Sequence, residues 1–282
     1  YSAESIDILQ RNATLLPIRN TQANQHGYGL ALKGQLFPHL FIRGSYEQAT
    51  RIPTETEIFG DFGAILPNYT LKPESSDNWN LGLKFDKRWG QNRRVSVQVD
   101  GFLRNRENLI RLDAFGPENA IFVNEAQVDG KGIEFATNLS LIDHLNLNGG
   151  FTFQSNEIAS PQLGVGSQQG AEVPNIPRLF FNIGATYRLQ SLFQTENRID
   201  LFWNYFFIDR FSINEVKDLN TANPAFVIPR QHLHNLGFTY VPGGEKWNLS
   251  FTANNVLNKA LYDNFRIPRP GANFSLKLTL SI

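Results

Sequence analysis

Alternation of apolar and polar side chains over long stretches is the feature that most restricts how this chain can fold. From residue 272 to residue 282 every second residue is apolar, and the residues between them are polar. The same period of two runs through segments 179–189 and 199–207, although Phe202 and Phe206 interrupt the polar positions of the second. Successive side chains of a β-strand point to opposite faces, so this period predicts strands with one apolar and one polar face.

Segments of this kind predict about eleven strands, most of them about 9–12 residues long, which is the length that crosses a bilayer when a strand is tilted. No segment predicts a long helix. The connections between the strands alternate between short and long. The short connections are 37–39, 87–93, 142–144, 190–197 and 242–246, and the long ones are 50–74, 111–120, 157–177, 209–230 and 258–270. This alternation is typical of an up-and-down meander with one short-turn end and one long-loop end.

The polar positions carry charges in the middle of the predicted strands. Examples are Arg43, Asp100, Glu134, Arg188 and Lys277. A basic side chain at the lipid midplane costs roughly 2–4 kcal/mol, so this face is expected to line a wet lumen or a packed polar domain. We therefore predict an all-β fold, an antiparallel up-and-down transmembrane β-barrel with about 11–12 strands in this chain. A soluble sandwich or a lipocalin-like barrel is the alternative, but sandwich strands are usually about 5–6 residues long.

Composition excludes several classes of protein. The 26 basic and 26 acidic residues give a formal net charge of zero, which argues against a general nucleic-acid-binding protein. The absence of cysteine rules out a disulfide framework, a thiolate metal site and a cysteine nucleophile. No apolar run approaches the roughly 18 residues of a transmembrane helix, and the first residues do not resemble a signal peptide. Because the sequence starts at Tyr1, we expect a processed product or a piece of a longer protein.

Four stretches stand out beyond the alternation. They are RIPTETEIFG (51–60), NYTLKPESSDNWNLGL (68–83), VNEAQVDGKGIEF (123–135) and NNVLNKALY (254–262). Pro73 is expected to fix a turn before a strand, and Gly130 and Gly132 to permit a bulge or tight bend. Asn255 and Asn258 suit a strand end that turns into a loop. We therefore expect structural roles for these motif residues rather than ligand contacts.

In this order and spacing the four stretches resemble the C-terminal half of the barrel of TonB-dependent receptors, the outer-membrane active transporters of Gram-negative bacteria. The second resembles the family's N-P-x-L-K-P-E-x-S stretch, the third its N-x-G-x-A-x-x-x-G-x-E strand, and the fourth its N-L-F-D-K-x-Y loop. The resemblance implies that residues 25–282 form the C-terminal part of a barrel of about 22 strands. Residues 1–24 are then the end of a preceding strand and a loop, and the family's plug domain has no counterpart in this sequence.

The resemblance also implies a function, which is outer-membrane transport of a scarce, large substrate. A ferric siderophore is the most common substrate of the family, and haem, cobalamin and glycans are others. Energy is expected to arrive through TonB, acting on a plug domain outside this chain, while the barrel supplies a wall in contact with membrane lipid and ligand-capturing extracellular loops. A passive or export barrel, such as an autotransporter-like translocator or a porin, is the alternative, and a soluble or surface binding module is a third class.

Aromatic and arginine side chains in the predicted long loops suit an anionic, aromatic chelate, because they offer stacking and charge-assisted hydrogen bonds. The candidates for ligand binding are Phe59, Phe62, Tyr69, Arg111, Phe115, Arg210, Phe211, Arg266 and Arg269. His232-x-His234 places two imidazoles on one strand face, where polar residues at a strand start are expected rather than a metal site. No nucleophile elbow and no phosphate loop are present in the sequence, so neither enzyme activity nor a cofactor is expected.

Overall fold

The regular structure of the chain is almost entirely β-strand. The computed structural model describes residues 5–9, 20–24, 26–61, 63–90, 92–114, 119–161, 168–192, 196–244, 246–262 and 267–280. The strands are β1 (Ser5–Leu9), β2 (Asn20–Asn24), β3 (Tyr28–Phe37), β4 (Leu40–Arg51), β5 (Ile65–Leu66), β6 (Glu74–Trp89), β7 (Arg93–Ala114), β8 (Ala120–Ile142), β9 (Leu145–Ser160), β10 (Leu179–Gln190), β11 (Arg198–Ile208), β12 (Phe211–Ser212), β13 (Val227–Ile228), β14 (Gln231–Val241), β15 (Trp247–Asn254) and β16 (Asn273–Leu280). The helices are α1 (Glu55–Phe59) and a 3-10 turn (Pro224–Phe226). No helix in the described ranges is long and apolar enough to cross a membrane.

Eleven strands form one antiparallel meander, in the order β3-β4-β6-β7-β8-β9-β10-β11-β14-β15-β16, and β5 joins β8 in parallel as the twelfth strand of this sheet. Each long strand pairs with the next long strand along the chain, so the predicted up-and-down topology is confirmed. The described part of the sheet is open between β3 and β16. The short pairs β1-β2 and β12-β13 form separate two-stranded sheets.

The two faces of the sheet differ as the alternation predicted. On the polar face the guanidinium of Arg43 on β4 lies 2.8 Å from the carboxylate of Asp100 on β7. Gly82 of β6 lies between these two residues in the register. On the apolar face Leu32 of β3 is 67% exposed and Leu276 of β16 is 68% exposed. An apolar face left uncovered in this way does not fit a sandwich, in which a second sheet would bury it.

A small apolar core lies at the long-loop end of the sheet rather than between two layers. Val128 of β8 and Ile158 of β9 are both fully buried, and they pack against Ala171 and Val173. The backbone N–H groups of Ile158 and Val173 donate to the carbonyl oxygens of Ala171 and Asn156, respectively, at 2.9 Å. The connection between β9 and β10 is therefore hydrogen-bonded to the end of β9, past the point where β9 and β10 stop pairing.

Two expectations from the sequence were wrong in detail. Residues 111–120 are not one long loop, because β7 and β8 remain paired as far as Ala114 and Ala120. The register between β8 and β9 shifts at Gln127/Val128 and at Ser140/Ile142, and the pairing is regular through both glycines of the third motif. Neighbouring side chains lie over both glycines, with the Asn156 amide over Gly130 and the Phe102 ring over Gly132.

Bulky side chains over glycine recur on the polar face. Phe102 of β7 stands opposite Gly132 of β8, and Phe202 of β11 stands opposite Gly237 of β14. A Cβ on Gly237 would come within 2.3 Å of the Phe202 ring, so no larger residue fits without movement. Phe202 therefore interrupts the polar pattern because it covers a glycine of the neighbouring strand.

Candidate functional site

The first motif forms a capped helix that is tied to the strands on either side of it. Thr54 caps α1 through the N–H of Glu57 at 3.4 Å, and the Glu57 carboxylate accepts the N–H of Thr54 at 2.7 Å, which completes a capping box. The Arg51 guanidinium lies 2.9 Å from Glu57 and 3.2 Å from Glu74. Glu74 also accepts the backbone N–H of Ile110 at 3.2 Å. The loop between β4 and β6 is therefore fixed to β7.

The second and third motifs are joined by one buried amide. Asn124 of β8, which is 6% exposed, accepts the N–H of Lys72 at 2.8 Å and donates to the carbonyl oxygen of Lys72 at 3.0 Å. Its side chain also donates to the carbonyl oxygen of Asn108 at 2.8 Å. Asn108 has a positive φ of 53°, a conformation that asparagine tolerates better than most residues. The second and third motifs lie far apart in the sequence, but these hydrogen bonds join them at the long-loop end of the sheet.

Two of the predicted ligand-binding aromatics meet in this same loop. The rings of Phe59 and Tyr69 lie 6.0 Å apart in an edge-to-face arrangement. Phe59 is 39% exposed and Tyr69 is 46% exposed, so both rings present surface to solvent. Between them, Asp61 accepts the N–H groups of Gly63 and Ile65, each at 2.8 Å. The hydrogen bond from Ile65, followed by that from Gly63, lowers the pKa of the Asp61 carboxyl.

Arg111 lies inside a cluster of carboxylates and not in an open loop. Its side chain is 5% exposed and lies 3.2 Å from Glu125 and 3.1 Å from Asp113, and it also pairs with Glu215 from the connection between β11 and β14. Glu215 in turn accepts the backbone N–H of Gln168 at 3.1 Å. This one guanidinium therefore links β7 and β8 to two of the long connections, and its predicted contact with a ligand remains a prediction.

The connection between β11 and β14 carries a cavity of about 650 Å³. The cavity is lined by Arg210, Pro224, Val227, Pro229 and Arg230. The Arg210 guanidinium donates to Asn220 at 2.6 Å, and that of Arg230 donates to Asp209 at 2.8 Å. Two guanidinium groups, one of them paired with the Asp209 carboxylate, therefore flank a space with both polar and apolar walls.

Other predicted ligand-binding residues have different positions. Phe211 is 5% exposed and pairs with Ile228 in the small sheet β12-β13, so its ring packs inside the protein. Arg269 is exposed in the connection between β15 and β16, where its backbone N–H donates to the carbonyl oxygen of Leu261 at 2.8 Å. Phe62, Phe115 and Arg266 lie outside the described residues. Ligand binding by each of these residues remains a prediction.

The fourth motif closes the connection before the last strand, in the way expected for strand-ending asparagines. Asn255 and Asn258 have positive φ values of 49° and 48°. The side chain of Asn255 accepts the N–H of Lys259 at 3.0 Å and donates to its carbonyl oxygen at 2.9 Å. Asn258 accepts the N–H of Ala272 at 2.9 Å, which brings the loop to the start of β16.

Sequence reasoning missed Arg230 and the motif contacts. Arg230 directly precedes β14 and follows Pro229, but nothing local shows that it shares a cavity with Arg210. The Thr54-x-x-Glu57 spacing could have revealed the capped helix, because that pattern is the sequence signature of a capping box. The partners of Asn124 could not have been read from spacing.

The fold and the arrangement of its connections define a class, the outer-membrane type of up-and-down β-barrel. A family model described as TonB dependent receptor-like, beta-barrel matches residues 20–256. The chain belongs to the TonB-dependent receptor family, as the four motifs indicated. This family resides in the outer membrane, and its members are receptors and transporters.

Solved structures show the same fold. The ferric preacinetobactin receptor BauA from Acinetobacter baumannii is 20% identical, with a TM-score of 0.64 over 94% of this chain and 37% of that protein. The copper transporter OprC is 15% identical, with a TM-score of 0.69 over 96% of this chain and 41% of that protein. The ferric enterobactin receptor PfeA from Pseudomonas aeruginosa, solved as a mutant, is 17% identical, with a TM-score of 0.63 over 91% of this chain and 40% of that protein. The chain thus spans about two fifths of the length of these receptors. No curated protein matches it.

Proposed function

We propose that the chain is the C-terminal wall of an outer-membrane TonB-dependent transporter for a scarce, large and anionic substrate such as a ferric siderophore. The observation that carries this proposal is the arrangement of the connections. A meander with one apolar face turns its longest connections toward one end, and a cavity with two arginines lies at that end. The apolar face would contact membrane lipid, and the long connections would be extracellular.

The cavity beside Arg210 and Arg230 is the proposed point of capture. Ferric chelates with catecholate or carboxylate donors carry net negative charge, and guanidinium groups bind such oxygen acceptors through charge-assisted hydrogen bonds. The exposed rings of Phe59 and Tyr69 would add stacking surface from another connection at the same end. Similarity to two receptors for ferric chelates supports this substrate class.

The polar face of the sheet would seat the plug domain of such a transporter. Ion pairs such as Arg43–Asp100 and Arg188–Asp200 leave that face charged yet internally paired, which suits contact with a polar domain or water. TonB would act on that plug. A concavity of about 930 Å³ on the opposite face is lined mainly by apolar side chains, including Leu30, Trp79 and Leu103, and would be filled by lipid chains rather than by a chelate.

Uptake measurements test this proposal. The full-length gene product would be expressed in a host that lacks its own ferric siderophore receptors, and entry of radiolabelled ferric siderophores would be followed. We expect uptake that stops when the inner membrane is de-energised. The Arg210→Gln variant should raise the apparent KM about tenfold, because one charge-assisted contact is lost. Lys217→Gln, in the same connection but outside the cavity lining, is the matched control and should leave the KM unchanged.

Two results would contradict the proposal. Uptake that persists without an energised inner membrane would indicate a passive or export barrel. If Arg210→Gln and Lys217→Gln changed the KM equally, the cavity would not be the site of substrate capture.

A further inference from the structure

A row of uncharged side chains crosses the polar face of the sheet from β8 to β16, with one position on each strand. Each position stands opposite the next in the register, and the two on β14 and β15 lie next to the pair Leu236–Ala253 at the end of that ladder. We call this set the asparagine row. Its members are Asn138, Asn148, Gly184, Asn204, Asn235, Asn254 and Asn273.

The asparagine row rises from the short-turn end of the sheet to the long-loop end. Asn148 is the fourth residue of β9, just after the short turn from β8. Asn254 is the last residue of β15 and Asn273 is the first of β16, so both adjoin the long connection. With strands about 4.8 Å apart and tilted by about 35–45°, a row across seven strands rises by about 17–20 Å. The apolar band of an outer-membrane barrel is about 25 Å tall, so the row covers most of its depth.

The amides in the middle of the row are available to bind a ligand. A Cβ at position 184 would lie 2.5 Å from Oδ1 of Asn148 and 2.9 Å from Oδ1 of Asn204, so both amides lean over the glycine from opposite sides. Within the residues that the structure describes, neither of these two amides has a hydrogen-bond partner. Each amide offers two N–H donors and a carbonyl acceptor. Farther along the row, Asn254 donates to Asn273 at 3.0 Å, so neighbouring members can also bond to each other.

The lack of charge on the row distinguishes it from the rest of this face. Glu134 lies on one side of it on β8, and the Arg188–Asp200 ion pair lies on the other side on β10 and β11. Charge-assisted hydrogen bonds are about twice as strong as those between neutral groups, so neutral amides bind the oxygens of a chelate more weakly than arginine does. Passage through a pore requires several sites that each bind a substrate well enough to admit it and weakly enough to release it. A row of equivalent amides meets this requirement.

We propose that the asparagine row is the track along which an oxygen-rich substrate crosses the barrel, between the wall and the plug domain, after its capture at the long-loop end. The track and the capture cavity adjoin the same strand. Arg230, which lines the cavity, directly precedes β14, and Asn235 is the fifth residue of that strand. This inference rests on the proposed function, because it assumes import through the inside of the barrel.

Uptake kinetics separate passage from capture. In the full-length protein, Asn148→Leu together with Asn204→Leu keeps the side-chain size but removes both amides. Ferric enterobactin and ferric preacinetobactin, labelled with radioactive iron, would be the probes. We expect the maximal rate of energised uptake to fall several-fold, whereas binding to de-energised cells should not change. Asn80→Leu, on the polar face of β6 and away from the row, is the matched control and should keep the wild-type rate.

A second measurement does not depend on the choice of chelate. Asn148→Cys and Asn80→Cys would each be treated in intact cells with a small, membrane-impermeant thiol reagent, and the protein without an introduced thiol would give the background. Asn148→Cys should react several-fold faster when the inner membrane is energised, because the track then opens along the wall. Asn80→Cys should show no such gain. Folding of every variant would be checked by its heat-modifiable migration in gels.

Three results would overturn the track. The first is wild-type uptake by the folded double variant, and the second is an equal gain, or no gain, in thiol reactivity at positions 148 and 80. The third is entry of a normally excluded antibiotic into de-energised cells that carry the double variant, which would show that the row holds the plug in place. Wild-type uptake without an energised membrane would instead contradict the proposed function, and that result is read from the wild type alone.

Discussion

The ring of Phe102 on β7 lies over Gly132 on β8, so close that a Cβ at position 132 would come within 2.5 Å of the ring. The carbonyl oxygen of Phe153 on β9 closes the same space at 2.6 Å from that Cβ position. Phe102 is 5% exposed and therefore has little room to move away. The glycine of the third motif is required by packing across three strands.

Gly132→Ala should therefore destabilise the folded protein by about 1–3 kcal/mol, the usual cost of forcing an extra carbon into a packed site. Gly101→Ala is the matched control, because the nearest atom to a Cβ there is the carbonyl oxygen of Leu81 at 4.0 Å. Urea unfolding of both variants in detergent micelles measures the difference. Equal stability of the two variants would show that Phe102 does not constrain position 132.

Asn124→Ala should loosen the second motif. The variant loses two hydrogen bonds with the backbone of Lys72 and one with Asn108, each worth about 1 kcal/mol. Hydrogen–deuterium exchange of a peptide that covers Lys72 should become faster, while exchange in the middle of β10 should not change. Asn80→Ala, which removes one exposed bond to Ser45 at 3.2 Å, is the control and should leave the peptide protected.

Arg111→Ala should be among the most damaging substitutions at the long-loop end, because Glu125 is fully buried and would lose its paired cation. Removing one partner of a buried ion pair typically costs about 3–5 kcal/mol. Adding Glu125→Gln to that variant should restore much of the loss, since the buried charge disappears with the cation. Denaturant midpoints of the single and double variants test this pair, and a double variant no more stable than Arg111→Ala would refute it.

The loop held by Asp61 should open as the solution becomes acidic. The folded-state pKa of this carboxyl is lowered by the N–H groups of Ile65 and Gly63. Its stabilising contribution is therefore complete above the ordinary pKa of an aspartate and is lost as pH falls through the lower folded value. The amide resonances of Gly63 and Ile65 should shift in that range by NMR. In Asp61→Asn the two amides should show no such transition, and an identical transition in that variant would contradict the assignment.

Much of the fold could be predicted because strand and face are local properties. Alternation in segments 179–189 and 199–207 was enough to place β10 and β11 and their apolar faces. The role of Phe202 could not be predicted in this way, since its position over Gly237 depends on the register between β11 and β14. The Gly-Pro pair at positions 116 and 117 predicts a loop from the sequence, and so the continued pairing of β7 and β8 past Arg111 was not expected.

The candidate site was predictable only in part for the same reason. The sequence indicated that Phe59, Tyr69 and Arg210 lie at the long-loop end, because that requires only the order of strands and loops. The contact of Asn124 with Lys72 joins residues 52 positions apart, and the pairing of Arg111 with Glu215 joins residues 104 positions apart. Contacts of that separation depend on the assembled sheet and leave no local pattern.

Surface labelling of intact cells tests the central claim most directly. Residues 1–282 contain no cysteine, so a thiol introduced here is the only labelled position within them, and the protein without the introduced thiol gives the background. Lys217→Cys lies in the long connection between β11 and β14, and Lys246→Cys lies in the short turn between β14 and β15. A membrane-impermeant maleimide should label Lys217→Cys in intact cells, and Lys246→Cys only after the outer membrane is permeabilised. Labelling of Lys246→Cys but not Lys217→Cys in intact cells, or of both alike, would contradict an outer-membrane barrel with its long loops outside.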